Sequence, residues 1–441
     1  MVSNLNNWSA AQAVCRLLQK LVFCCAVGAL PGIVLAGTAS PYGEYFVRLG
    51  ATWPDGGPGP PQSPPAAGPG EGDSKRFENQ LDALEKEGGP YADALAEPLA
   101  DLARMHRRAG DLERAQQAYQ RALHVVRIND GLYSERQVPI LRQLFGSYRQ
   151  TGEMQDLDAR YNYYFRLYGA GQPPYTDLRL GATLEYLRWQ REALLLELDP
   201  EPSGRLLSLY NLNQQVLDAA ATQEGIPYPL YRRLVLSQLC NLYLVQHLYR
   251  PELQSSNEVP QHLTAGAWEP REANEYRLDM LQRGAVSRGR ELLDELIGRT
   301  PANEPLELAL NYLELGDWNQ WNDKRSDADA AYRRVIGLLA ETDEPTLSGQ
   351  WLGTPRELPA NGVFELPQAA GDAQAVVVEA GFDVSVEGRA RNIETRVEKE
   401  DDEGRARRLR RELADMRFRP AYLEGEPGAV QGLSRRYAWL R

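Results

Sequence analysis

Four histidines, His106, His124, His247 and His262, are the residues best suited to bind a metal or carry a proton, and none lies at ligand spacing from a cysteine or another histidine. Cys240 sits in the apolar stretch Leu234 to Leu248, where a thiol packs as a small hydrophobe more readily than it acts as a nucleophile. There is no phosphate-binding glycine loop, nucleophile elbow or zinc-ribbon spacing, and the acid pair Asp401-Asp402 stands at a helix start, where capping accounts for it. Neither catalysis nor a cofactor is therefore expected. What does recur is arginine: Arg104, Arg107, Arg142 and Arg149 fall at related positions of helical segments. Planar guanidinium groups recognise carboxylates through paired N–H bonds, so four on one concave surface would hold an acidic peptide or a terminal carboxylate. The competing expectation is that they are solvated or paired with neighbouring Glu and Asp.

The 441 residues contain 61 acids against 49 Lys and Arg, a formal charge of −12, which opposes general nucleic-acid binding because that requires a basic surface. At the N-terminus Arg16 and Lys20 precede the apolar run Leu21 to Ala36, and no acid occurs before Glu44. That order is the one a secretory signal peptide has, spanning residues 1–36, with an uncleaved membrane anchor as the alternative. Cleavage would leave Cys240 alone among four cysteines, so no internal disulfide is expected. Residues 37–75 hold a strand-like piece, Tyr42 to Trp53, and a Pro/Gly linker, PDGGPGPPQSPPAAGPGEG. Twelve residues cannot fold alone, so that piece either pairs with a sheet elsewhere or stays mobile.

Residues 76–340 read as helices. In LADLARMHRRAGDLERAQQAYQRAL, Leu99, Leu102, Ala103 and His106 share one face, Gly110-Asp111 supplies a stop and a new N-cap, and Ala115, Tyr119 and Ala122 make the facing stripe. A second copy begins at Ile140, with Leu141, Leu144, Tyr148, Gly152, Leu157 and Tyr161 in the equivalent places, and a third carries Tyr312, Leu315, Gly316, Ala328, Tyr332 and Val335. The pattern resembles the tetratricopeptide repeat, with His106 where that family has an aromatic and Asp323 where it has the turn glycine. Between the copies, Leu180 to Leu198, Leu206 to Ala220, Leu230 to Tyr249 and Tyr276 to Ile297 are candidate helices, giving about five hairpins, while Arg250 to Arg271 reads as an insertion. The resemblance implies an α-solenoid whose concave face is a binding surface.

Residues 341–372 are rich in Pro and Gly and read as a second linker. From 373 to 441 the period changes: Ala375 to Val384 and Ala390 to Val397 alternate as strands joined across Glu387-Gly388. A helix from Glu403 to Met416 and extended segments at Phe418 to Tyr422 and Leu433 to Trp439 complete a small α+β order of strand, strand, helix, strand. The blocks Phe382-Asp383-Val384, Gly388-Arg389, Asn392-Ile393, Phe418-Arg419-Pro420-Ala421 and Gly425 together resemble the TonB C-terminal domain over about 70 residues. That resemblance implies strand addition by an extended peptide, with the final strand and its Arg435, Tyr437 and Trp439 as the expected exposed edge. The basic run Arg405 to Arg411 reads as the solvated face of the helix, with contact to anionic lipid as the alternative.

Together the chain reads as mainly α, an exported, periplasmic scaffold of the cell envelope, binding protein or peptide partners without covalent chemistry or cofactor. The alternative is an inner-membrane-anchored TonB-like component of an outer-membrane transport system. Edge strands also allow a homo-oligomer.

Overall fold

The computed structural model describes residues 45–48, 71–249, 270–342, 346–364, 376–397 and 402–440. The N-terminal apolar run, most of the first Pro/Gly linker, His262 and residues 250–269 of the expected insertion lie outside the described residues. Ser40–Arg441 forms one compact unit, mainly helical with a small C-terminal sheet region.

The helices are α1 (Glu71–Gly88), α2 (Ala96–Arg108), α3 (Leu112–Asp130), α4 (Val138–Thr151), α5 (Met154–Leu167), α6 (Asp177–Leu195), α7 (Pro202–Thr222), α8 (Tyr228–Leu248), α9 (Pro270–Arg299), α10 (Pro305–Trp321) and α11 (Arg325–Ala340). Each packs on the next in chain order. The boundaries reflect local chemistry. The Asp111 carboxylate accepts from the backbone N–H of Arg114 at 3.2 Å and so starts α3, while Gly152, in the left-handed region at φ 77°, ends α4. The stripes expected to be apolar are inside: Leu99, Ala103, Ala115, Tyr119 and Ala122 are buried in the first pair, and Leu141, Leu144, Tyr148, Leu157 and Tyr161 in the second. One core joins α1 to α6, and a second runs from α6 to α11 and includes Leu239, Tyr243 and Trp318.

The segment expected as a second linker is partly structured. It holds α12 (Leu347–Leu352) and a two-residue strand, β2 (Arg356–Glu357), and buries Leu352, Leu358 and Val363. Three apolar side chains in a Pro-rich stretch are enough to anchor it, because each recovers transfer energy without needing a regular element around it.

The main sheet combines β1 (Tyr45–Arg48), β3 (Val376–Val384), β4 (Ala390–Val397) and β8 (Val430–Leu440) in the order β1-β8-β3-β4, all neighbours antiparallel. Helix α13 (Glu403–Asp415) lies on β3 and β4, with Ala406, Leu409 and Leu413 packed on Val378, Ala380, Phe382 and Phe418. Phe382 and Phe418 meet at 5.5 Å between ring centroids. Between α13 and β8 run β5 (Phe418–Arg419), which pairs with β2, and the small hairpin β6 (Ala421–Leu423) with β7 (Glu426–Gly428).

Candidate partner-binding surfaces

The two surfaces expected from sequence are both reshaped by neighbouring residues. On the helical body, the Arg142 guanidinium donates from both terminal nitrogens to Glu185, at 3.1 and 2.9 Å, and to Tyr164 Oη at 3.2 Å. One turn pair further along α4, Arg149 donates to both Glu192 oxygens, Nη2 to Oε2 at 2.7 Å, and lies 5.3 Å from the Trp189 ring centroid. Both acids stand 43 residues after their arginines, on α6, so equivalent faces of the two helices are pinned to each other. Burial alone would lower the Arg149 guanidinium, yet the Glu192 carboxylate beside it holds it above its ordinary value. Burial first, and then Glu185, raise the Tyr164 phenol.

Arg104 is committed to Asp101 on its own helix. Arg107 has no side-chain partner among the described residues, and with Arg104 it partly offsets the effect of burial that raises the Tyr119 phenol. Of the two expectations for the four arginines, Arg104, Arg142 and Arg149 follow the second, being paired with acids, and the latter two join helices. The sequence held the signal, because Glu185 and Glu192 repeat the seven-residue interval of Arg142 and Arg149.

The expectation for the second surface, the final strand, is corrected. β8 is not the outer strand along Tyr437–Leu440, because β1 pairs there with the register Arg48↔Tyr437 to Tyr45↔Leu440. Tyr437 and Trp439 are buried, and Tyr437 Oη donates to Glu357 Oε1 at 2.7 Å. Arg435 is partly exposed and lies beyond the end of the β1 pairing. Arg408 sits 4.7 Å from the centroid of the Trp439 ring and pairs with Glu412, and Arg405 is held by Asp402; Arg405 is partly exposed, whereas Arg407, Arg408, Arg410 and Arg411 are exposed.

Sequence reasoning missed the joint between the last helix pair and the sheet region. Asp317 on α10 and Arg419 on β5 are both fully buried and paired, Arg419 Nε to Asp317 Oδ1 at 2.7 Å. Asp317 also accepts from Tyr332 Oη at 2.9 Å, and Arg419 Nη1 donates to the Trp351 carbonyl at 3.0 Å. The Gln320 amide donates to the carbonyls of Glu387 (2.8 Å) and Phe418 (3.1 Å). Asp323, at φ 57° in the turn before α11, accepts from Arg389 (2.8 Å) and Arg417 (3.0 Å). Asp323 thus reaches across to the terminal sheet region. Gly388, at φ 69°, faces the Phe418 carbonyl and the Gln320 amide so closely that a Cβ would collide with both. Tyr422 completes the joint, buried in the core of α10 and α11 and donating to Asp329 at 2.8 Å.

Cavities open on this body among the described residues. One of about 520 Å³ is lined by Tyr133, Arg166, Tyr168, Leu178 and Arg179, and one of about 240 Å³ lies at the joint between Arg325, Asp329, Glu387 and Pro420. Among the described residues no group of three His, Cys, Asp or Glu side chains could hold a metal ion, and no helix is long and apolar enough to cross a membrane. His124 packs edge-on to Tyr91, and His247 against Phe364. Comparison of the chain with protein-family models and with curated proteins finds no match.

Proposed function

We propose that this chain is an exported adaptor of the cell envelope, working in the periplasm. A solenoid of tetratricopeptide-like helical hairpins forms one partner-binding platform, a TonB-like sheet forms a strand-accepting module, and neither does covalent chemistry. The observation that carries this reading is the buried Asp317–Arg419 pair with its surrounding network, which fixes the sheet region against the last two helices of the body. An adaptor has to hold two partners at a defined separation. A joint made of buried charge does so more strictly than a flexible linker, whose ends sample a broad range of distances.

The helix order and the regular 43-residue spacing of the Arg142–Glu185 and Arg149–Glu192 pairs support the solenoid reading, because stacked repeats place equivalent positions side by side. The strand, strand, helix, strand order supports the sheet module. With three of its four arginines paired with acids, the helical surface keeps Arg107 as the one guanidinium of the four without an acid partner among the described residues, too few for a carboxylate clamp of several arginines.

The experiment is cell fractionation with intact-mass measurement of the native protein. A periplasmic protein lacking residues 1–36 is expected. A cytosolic protein that retains them overturns the reading.

A further inference from the structure

The connection between α3 and α4 and the one between α5 and α6 both line the cavity of about 520 Å³. That size is in the usual range of small-molecule sites, and the cavity belongs to neither partner-binding surface described above. One wall is residues 131–137. Gln137 is fully buried, donates to the carbonyls of Gly131 (3.2 Å) and Leu132 (3.1 Å), and accepts from Tyr163 Oη at 2.6 Å. The loop is thus anchored while the Tyr133 side chain stays 72% exposed, a ring face open to an apolar body. The other wall is residues 166–179. Gly169, Ala170 and Gly171 follow one another in the left-handed region at φ 86°, 51° and 74°, a costly conformation for the alanine. The Arg179 guanidinium lies over Gly169, where a Cβ would stand 3.1 Å from Nη1, so the glycine makes room for it.

The charges on these walls do not satisfy one another. Arg166, Arg179 and Glu135 all line the cavity, yet among the described residues neither arginine makes an ion pair and the Glu135 carboxylate has no side-chain partner. Arg179 makes only a long bond, 3.5 Å from Nη1 to the Pro174 carbonyl. Neighbouring arginines behave differently: Arg136 pairs with Asp93 and Asp130, and Arg142 with Glu185. Burial first, and then the Glu135 charge, raise the Tyr168 phenol, in keeping with a carboxylate that faces into the cavity beside that ring. A ligand bearing only a carboxylate would suit the two arginines and be repelled by Glu135. One bearing only an ammonium group would meet the reverse. A molecule that carries both satisfies all three side chains, and an apolar body between its charges covers Tyr133 and the half-exposed Leu178.

We propose that this cavity binds a small zwitterion with an apolar side chain, a free amino acid or a dipeptide. Its carboxylate lies at Arg166 and Arg179, its ammonium group at Glu135, and its side chain against Tyr133 and Leu178. This goes beyond the adaptor reading and does not depend on it.

The test is isothermal titration calorimetry of the full chain with four probes: L-phenylalanine, L-phenylalanyl-L-phenylalanine, 3-phenylpropionate, which lacks the ammonium group, and 2-phenylethylamine, which lacks the carboxylate. At least one zwitterion is expected to bind with a Kd below about 1 mM, and each singly charged probe at least about tenfold more weakly. Binding of phenylalanine alone assigns a free amino acid, and binding of the dipeptide alone assigns a short peptide. Arg179→Gln should weaken the zwitterion about tenfold or more and leave phenylethylamine no weaker. Glu135→Gln should weaken the zwitterion yet strengthen phenylpropionate, a gain that a misfolded variant would not show. No zwitterion bound below about 1 mM, phenylpropionate or phenylethylamine bound as tightly as the zwitterion, or no response to either substitution overturns the proposal.

Discussion

Asp317 and Arg419, 102 residues apart in the chain, form an ion pair with each side chain only 3% exposed. Such a pair costs several kcal/mol to desolvate and returns it only while both charges and their hydrogen bonds are in place. Removing one partner by Arg419→Met is expected to lower unfolding stability by about 3–5 kcal/mol in urea titration. Asp317→Leu combined with Arg419→Met should cost less than the sum of the single changes, because no bare charge remains. A single-variant loss under about 1 kcal/mol would show that the joint does not hold the sheet region.

The Arg149–Glu192 pair makes a parallel claim for the helical body. Its side chains are 15% and 7% exposed, against 43% and 37% for Arg104 and Asp101. Arg149→Met should destabilise by about 2–4 kcal/mol, while Arg104→Ala stays within about 0.5 kcal/mol. Similar values for the two substitutions would contradict the assignment of Arg149 as an interhelix tie.

Glu314 on α10 is raised to about 7, first by burial and then by the Asp317 charge, with Arg232, Arg419 and Arg356 opposing. A carboxyl raised on folding binds more protons in the native state, so its contribution to stability is complete below its unfolded value near 4.5 and is lost as pH rises through about 7. The melting temperature of the wild-type chain should therefore fall more between pH 5 and pH 8 than that of Glu314→Gln, a window set by those two values. Equal pH slopes would mean that Glu314 does not titrate there.

Asp323→Gly exchanges two effects. Glycine relieves the left-handed backbone at φ 57°, worth about 1 kcal/mol, and removes the acceptor of Arg389 and Arg417, worth about the same at a half-exposed carboxylate. Global stability should change by less than about 1 kcal/mol. Hydrogen exchange at Gly388, whose N–H donates to Ser385, and at Phe418, whose N–H donates to Gly388, should accelerate. Unchanged exchange would show that the aspartate does not serve the joint.

The helices and the terminal strands were legible because their signals are local. Leu99 to Ala122 and Val376 to Val384 carry apolar periods of 3.6 and 2 that the fold then buries, and Gly152 and Gly388 mark turns that need positive φ. The candidate sites were legible only in part, because their state depends on distant residues. Whether Arg149 is open depends on Glu192, and whether Tyr437 is an edge depends on Tyr45–Arg48. For the latter, pairing with a sheet elsewhere is one of two expectations for Tyr42 to Trp53, and Tyr45–Arg48, the described part of that piece, shows it. Asp323 shows the converse: an acid at a left-handed turn position, unexplained by its neighbours in sequence, marks a contact across the joint.

The most direct test of an adaptor is site-specific photocrosslinking in the native cell, with the reactive group at position 104 on α2, at position 436 on β8, or at the control position 283 on α9. Arg283 is 73% exposed and lies on neither proposed surface. An adaptor gives one envelope protein at position 104, a different one at 436, neither at 283, and both together when either is purified through this chain. The same proteins at all three positions, or none at 104 and 436, would contradict it.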